Sequence, residues 1–318
     1  MDIDILLALQ AFREGAGSFL TDFLSKMTWF GEMNITLVIM GLIYWCVNKG
    51  IGTYLLMGWS GNRIVNGLLK VTVCAYRPWI RDPRIIPDTA ALETATGYSF
   101  PSGHSMNASS LFGGMAIRRD MDKTLRALMW TILGLIAFSR IFLGVHTPQD
   151  ILVGACVGVL VMYLAGKLMR WLESHPDKDV MVAVIGISVA LAAALYAALK
   201  PYPADYDANG ELLVDGLKMA NDTFKAVGWL SAFLVGWILE RRHVSFTTEV
   251  PMQERFLRLT AGLLGYYLIS LVINPVVKEA LVGFSGTVIT CFLQMFYVVY
   301  LFPLLMSRSL KPRQDSAA

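Results

Sequence analysis

Charge is what this chain has little of. Only 16% of its 318 residues are Asp, Glu, Lys or Arg, against 55% in the hydrophobic set. A soluble globular domain carries about 25% charged residues, so the shortage excludes an ordinary soluble domain. The formal net charge of +3 is spread between apolar runs, which leaves no one-sided basic face and indicates no nucleic-acid partner. Cysteine is scarce too. Cys46, Cys74, Cys156 and Cys291 are scattered without metal-like spacing and read as small hydrophobes, with no disulfide framework. Internal repeats and low-complexity tracts are missing. So is a basic stretch ahead of the first apolar one: MDIDILLALQAFREGAG starts acidic, and no cleavable signal peptide is expected. Its Ile5, Leu6, Leu9 and Phe12 recur at helical spacing and predict an amphipathic surface helix.

Apolar runs fill the space that charge leaves. Mean hydropathy is +0.54, and about 20 helical residues cross a bilayer core. Nine candidate spans fall at 31–47, 53–71, 102–117, 127–143, 149–170, 180–199, 223–240, 256–274 and 280–305. The expected fold is therefore all-α, a polytopic membrane bundle of about nine transmembrane helices. The second span carries Asn62, Arg63, Asn66 and Lys70. Such groups are costly in lipid unless they face protein or water, so this helix should be buried inside the bundle. For Arg63 a structural ion pair is the simpler expectation, with substrate contact as the alternative.

Basic residues orient the chain. With the segment around FPSGH outside, alternate connections and the tail from Ser307 lie inside and hold 15 of the 27 Lys and Arg residues. The bias predicts an extracytoplasmic N-terminus and a cytoplasmic C-terminus, and the plasma membrane is the expected location. The acidic 201–222 connection is either a solvated loop or a cover over a site.

Three stretches carry chemistry. KVTVCAYRP supplies Lys70 and Arg77, seven apart, a spacing that puts two cations on one helical face. PSGH, Pro101 to His104, is either a plain helix start or an anion cradle. Backbone N–H groups at Ser102, Gly103 and His104 would face the anion, and Gly103 would permit close approach. SRIFLGVHTPQD supplies Ser139, Arg140, His146 and Asp150. In the predicted topology all three stretches meet at outer span ends. Lys70, Arg77 and Arg140 suit a tetrahedral dianion. His146, oriented by Asp150, can attack phosphorus, and His104 can protonate the departing oxygen. Each piece also has a structural reading: the cations can snorkel, and Thr147, Pro148 and Asp150 look like a helix cap.

In order and spacing, Lys70–Pro78, Pro101–His104 and Ser139–Asp150 match three signatures, and the chain resembles the type 2 phosphatidic acid phosphatase superfamily. The resemblance covers about the first half. It implies that His146 is the nucleophile, Asp150 its partner and His104 the acid/base. It further implies that Lys70, Arg77, Ser102, Gly103, Arg140 and Ser139 hold the phosphate, without metal or other cofactor. Nine spans, and Asn66 four before Lys70, are similar to the glucose-6-phosphatase branch. The organisation so implied is a membrane phosphatase core with its N-terminal helix at 1–175 and additional helices of the same bundle at 176–318. The expected function is hydrolysis of a lipid phosphate or prenyl diphosphate through a phosphohistidine. A sugar phosphate is the alternative substrate, and a non-catalytic lipid binder or transporter the alternative class. Partners are thus a phosphorylated lipid or sugar and the membrane lipids, and the sequence leaves the oligomeric state open.

Overall fold

Helical periodicity becomes helix nearly throughout the computed structural model, which describes residues 2–309. Lys311 and Arg313, two of the basic tail residues used to orient the chain, lie outside the described residues. Helices α1 (Asp2–Gly15), α2 (Ser18–Thr28) and α3 (Met33–Leu42, continuing through Val47) lead into α4, Lys49–Val73. After the site loops come α5 (Gly103–Ala108, continuing to 116), α6 (Lys123–Phe142) and α7 (Pro148–Ser174). Then follow α8 (Asp179–Leu199), α9 (Gly216–His243), α10 (Met252–Leu268, continuing to 280) and α11 (Phe284–Phe296, continuing to 309). Short polar residues start several of them. Asn48 accepts from Ile51 N–H, Asp122 from Thr124 and Leu125, and Asp215 from Leu217 and Lys218.

Helices occupy all nine positions expected for spans, but nine spans are not confirmed. Among the described residues six helices are long and apolar enough to cross a bilayer, or seven if α2 and α3, bent by 60°, form one broken span. The 25-residue α4 falls short because it is too polar, and the 14 residues of 103–116 rise only about 21 Å against a core of about 30 Å. Six spanning helices still make this a multi-pass membrane protein. Val184, Ile185, Leu191, Leu195 and Leu199 of α8 face outward from the bundle, as lipid contact requires.

The polar α4 is the axis of the bundle. Asn62, Arg63, Asn66 and Lys70 are all buried, as their cost in lipid dictates. Asn62 Nδ2 donates to Ser110 Oγ at 2.7 Å and to the Gly158 carbonyl at 3.1 Å, tying α4 to α5 and α7. Missing side chains bring the neighbours close: a Cβ at Gly58 would lie 2.3 Å from Met162 Sδ of α7, and one at Gly67 2.7 Å from Thr223 Oγ1 of α9. On the α9 side Trp59 packs against Trp229 with ring centroids 5.0 Å apart and the planes tilted by 56°. The amphipathic N-terminal helix forms as expected and buries Leu6. Its Arg13 donates to the carbonyls of Phe142 at 3.0 Å and Ile86 at 2.5 Å, so α1 braces the loops on the site's side of the bundle.

Candidate active site

The chain reaches the site by a turn rather than along one helix. Lys70 and Arg77 were expected to share a helical face, but α4 ends at Val73, and Cys74 stands in the left-handed region at φ 50°. A non-glycine residue there is strained, and it redirects the chain. Arg77 is extended and caps the single turn Pro78–Arg81. It therefore comes to the cavity from a loop, while Lys70 comes from the last turn of α4.

Arg77 is clamped. Its Nε donates to the Gly97 carbonyl at 2.9 Å, Nη2 to Thr96 at 3.0 Å and Nη1 to Val145 at 2.9 Å. Nη1 also lies 2.9 Å from His146 Nε2. A guanidinium can only donate, so Nε2 accepts and a neutral His146 carries its proton on Nδ1. Nδ1 lies 3.3 Å from Asp150 Oδ2. Burial, and then the positive Arg77, hold the His146 imidazole well below the ordinary histidine value. Burial also lowers Arg77 to about 10, which leaves it protonated at neutral pH.

Asp150 performs both tasks that its sequence context allows. Its Oδ2 accepts from Thr147 N–H at 2.8 Å, while Thr147 Oγ1 accepts from Asp150 N–H at 3.3 Å, a full capping box at the head of α7. The same oxygen accepts from Ser99 Oγ at 2.5 Å. Ser99, buried and 3.3 Å from His146 Nδ1, was not among the sequence candidates. No local signal marks a lone serine two residues ahead of PSGH.

PSGH starts α5, and Ser102 is its cap, accepting from Ser105 N–H at 3.3 Å. Gly103 and His104 occupy the first turn, where N–H groups have no intrahelical carbonyl to meet. The Ser102 N–H is engaged elsewhere, donating to the Asp150 carbonyl at 3.0 Å and so fixing α5 to α7. His104 Nε2 is buried without a hydrogen-bond partner. Its ring packs on Gly31, where a Cβ would lie 3.1 Å from His104 Cδ2.

One cavity of about 280 Å³ gathers Lys70, Arg77, Gly103, His104 and His146. Lys70 Nζ donates to the Tyr98 carbonyl at 2.7 Å. Four predicted residues stand behind the wall: Asp150, described above, with Arg140, Ser139 and Ser102. Arg140 is fully buried, donating to Thr28 Oγ1 at 2.8 Å and Thr94 Oγ1 at 3.3 Å, and its carbonyl accepts from Val145 and His146 N–H. Ser139 Oγ donates to the Ile136 carbonyl at 2.7 Å. Ser102 is the cap just described. Thr94 lies on the wall, so Arg140 is one layer back from it.

Other wall residues were not foreseen: Glu32, Asn34, Glu93, Asn107, and Asp222 with Lys225 from α9. The 201–222 connection ends earlier than expected, because α9 already starts at Gly216. Residues 203–213 are mostly exposed, and Asp205 accepts from Tyr76 Oη at 2.6 Å. Arg63 also lines the cavity and forms no ion pair among the described residues, contrary to the simpler expectation for it.

Comparisons with known proteins agree with the three motifs. Residues 51–174 match the PAP2 superfamily, and residues 224–313 match the PAP2 superfamily phosphatase transmembrane extension. Phosphatidylglycerophosphatase B of Bacillus subtilis (strain 168) is 32% identical over 121 residues, covering 36% of this chain and 55% of that protein. Lipid A 4'-phosphatase of Porphyromonas gingivalis is 35% identical over 89 residues, 25% of this chain and 37% of that protein. Glucose-6-phosphatase 2 of Homo sapiens is 26% identical over 182 residues, 49% of this chain and 51% of that protein. The chain thus spans about half the length, or less, of these relatives. No solved structure gave a significant match. With the phosphatase signatures converging on one cavity and both family models matching in sequence order, the chain belongs to the PAP2 superfamily and carries its transmembrane extension.

Proposed function

We propose that this chain is an integral-membrane phosphohydrolase that cleaves a lipid phosphate or prenyl diphosphate through a phosphohistidine on His146. One observation carries the reading. His146 has its Nδ1 backed by Asp150 and its Nε2 turned toward the Arg77 guanidinium, in a cavity that also holds the unpartnered His104 Nε2. The Nε2 lone pair attacks phosphorus as the bond to the leaving oxygen breaks, and His104 gives that oxygen a proton. Water then yields a proton to His104 and attacks phosphorus. The P–N bond breaks and His146 regains its lone pair. Lys70, Arg77 and the N–H groups of Gly103 and His104 stabilise charge on the equatorial oxygens. Ser99 holds Asp150 in place. Arg140 and Ser139 support the loop that carries His146 and reach phosphate only if the site rearranges.

A second reading, a water-soluble sugar phosphate as substrate, draws support from the wall, where Met33 is the only aliphatic side chain longer than a methyl group. The proposed orientation puts the site and α1 outside the plasma membrane and the C-terminus in the cytoplasm. Phosphate release from phosphatidate, a prenyl diphosphate and glucose 6-phosphate, measured on wild type and His146→Ala, tests the proposal. Loss of all release in the variant supports it; equal release in both, as from a transporter or lipid binder with contaminating activity, refutes it. Turnover of glucose 6-phosphate far above either lipid would favour the second reading. Vanadate, a phosphate mimic, should inhibit.

A further inference from the structure

Arg63 and Lys225 are the wall cations that the phosphohydrolase reading leaves without a task, and of the two Arg63 has no acidic partner among the described residues. It is 4% exposed, and its guanidinium makes no hydrogen bond or ion pair among the described residues. Its apolar support is Trp229, with the guanidinium carbon 5.8 Å from the ring centroid. Nη1 would lie 4.0 Å from a Cβ at Gly103, so the group reaches the first turn of α5. A buried cation without a partner is unfavourable unless something anionic meets it when the protein works. Asp222 is the nearby acid on α9, but it is paired with Lys225 at 2.8 Å and does not come within ion-pair distance of Arg63.

Arg63, Asn66 and Lys70 are spaced i, i+3 and i+7 on α4 and line the same wall. Arg63 and Lys70 are therefore about 10 Å apart along the helix axis. A phosphate bound between Lys70, Arg77 and His146 leaves Arg63 unmet, and the cavity has room for several times the volume of one phosphate. The wall also holds Lys225 of α9, whose ammonium is paired with Asp222 at 2.8 Å and would have to be shared with a bound anion.

We infer that Arg63 and Lys225, with Asn66 between the two ends, form a second anion subsite, so that the preferred substrate carries two phosphoryl groups. The inference rests on the phosphohydrolase reading for its biological meaning and extends it to substrate class. A planar guanidinium fork matches phosphate oxygens in pairs. The second phosphoryl group can be bonded directly to the first, as in a lipid diphosphate. It can instead be a phosphodiester separated from the monoester by a short polyol.

The test uses the full chain in detergent. First, binding of orthophosphate, pyrophosphate and glycerol 1,3-bisphosphate is measured by calorimetry on His146→Ala, which needs no turnover. At least tenfold tighter binding of one of the two double phosphates is expected, and three equal affinities would overturn the subsite whether or not the protein is an enzyme. Second, kcat/KM is compared for phosphatidate, a prenyl diphosphate and a lipid with a phosphomonoester joined through glycerol to a phosphodiester. Wild type should prefer one of the two-phosphate lipids. Arg63→Gln should reduce that preference at least tenfold, and Arg63→Lys should restore part of it. The substrate whose advantage is lost identifies the spacing. A preference unchanged in Arg63→Gln overturns the inference, as does an equal loss on all three lipids. If Arg63→Gln does not fold, Lys225→Gln and the wild-type affinities decide. Wild type that binds pyrophosphate tightly but hydrolyses nothing would sink the phosphohydrolase reading and leave the subsite standing.

Discussion

Asp150→Asn separates the two tasks of one carboxylate. In the wild-type site Oδ2 accepts three hydrogen bonds, from Ser99 Oγ at 2.5 Å, Thr147 N–H at 2.8 Å and His146 Nδ1 at 3.3 Å. An amide oxygen can still accept from Thr147, so the helix cap survives at a cost of about 1 kcal/mol or less. His146 fares worse. It loses a charge-assisted bond that contributes about 1.5–3 kcal/mol. An amide NH₂ turned toward Nδ1 would also favour the other tautomer, with the proton on Nε2. That proton would occupy the attacking lone pair and point at Arg77 Nη1, itself a donor 2.9 Å away. A misplaced tautomer in a hydrolytic triad costs up to about 10⁴ in kcat. The expected result is a fall in kcat of about two to four orders of magnitude, or roughly 3–5 kcal/mol of barrier. KM should change little and the melting temperature by only a few degrees. Phosphate release at saturating substrate, with thermal unfolding of the same preparation, reads both. A folded Asp150→Asn protein with kcat within threefold of wild type would refute the reasoning.

Three further outcomes follow from the geometry. Ser99→Ala keeps the carboxylate but removes one bond to it, so kcat should drop about tenfold, in line with about 1 kcal/mol for a lost hydrogen bond; a drop as large as that of Asp150→Asn would show that Ser99 does more than hold it. Gly31→Ala introduces a Cβ 2.9 Å from Ile136 Cγ2 and 3.1 Å from His104. It should lower kcat by displacing the His104 ring while Trp fluorescence and melting stay near wild type; unchanged kcat would mean that His104 is not used where it stands. Stability against pH tests His146, which is held neutral in the fold by burial and Arg77. Its folded value lies below the unfolded value of about 6.5, so beneath that pH the unfolded chain binds the extra proton and stability falls as pH falls. Denaturant unfolding between pH 7.5 and 5 should show this slope, and His146→Asn should reduce it, the remainder coming from His104, which burial also holds well below the ordinary value; equal slopes would contradict a neutral buried imidazole.

Much of this arrangement was legible along the chain because burial in lipid is a severe filter. Four polar residues in α4 had to turn inward, and they do. The capping pattern at Thr147 and Asp150 is local, so it could be read directly. What sequence could not reveal depends on distant packing. Lys70 and Arg77 do reach one cavity, yet not along a helical face, because helical spacing ignores a left-handed residue at Cys74. Arg140 carries the right charge at the right spacing, but its side chain is claimed by Thr28, 112 residues away. Ser99, Glu32 and Lys225 have nothing in their neighbourhood to mark them, and only the folded chain brings them to the site. The nine-span count is not confirmed, because hydropathy windows treat a short or polar helix like a crossing one.

The placing of α4 has a consequence for how the two family segments depend on each other. One side of this helix rests on α7, from the segment that matches the PAP2 superfamily, and the other on α9, which runs into the extension. Strip away the second half and Trp59, Gly67 and Arg63 would lose their cover, leaving a bare charge against hydrocarbon. The extension thus covers α4 on the side away from α7 and adds Lys225 to the cavity wall, so the first segment is not a detachable module.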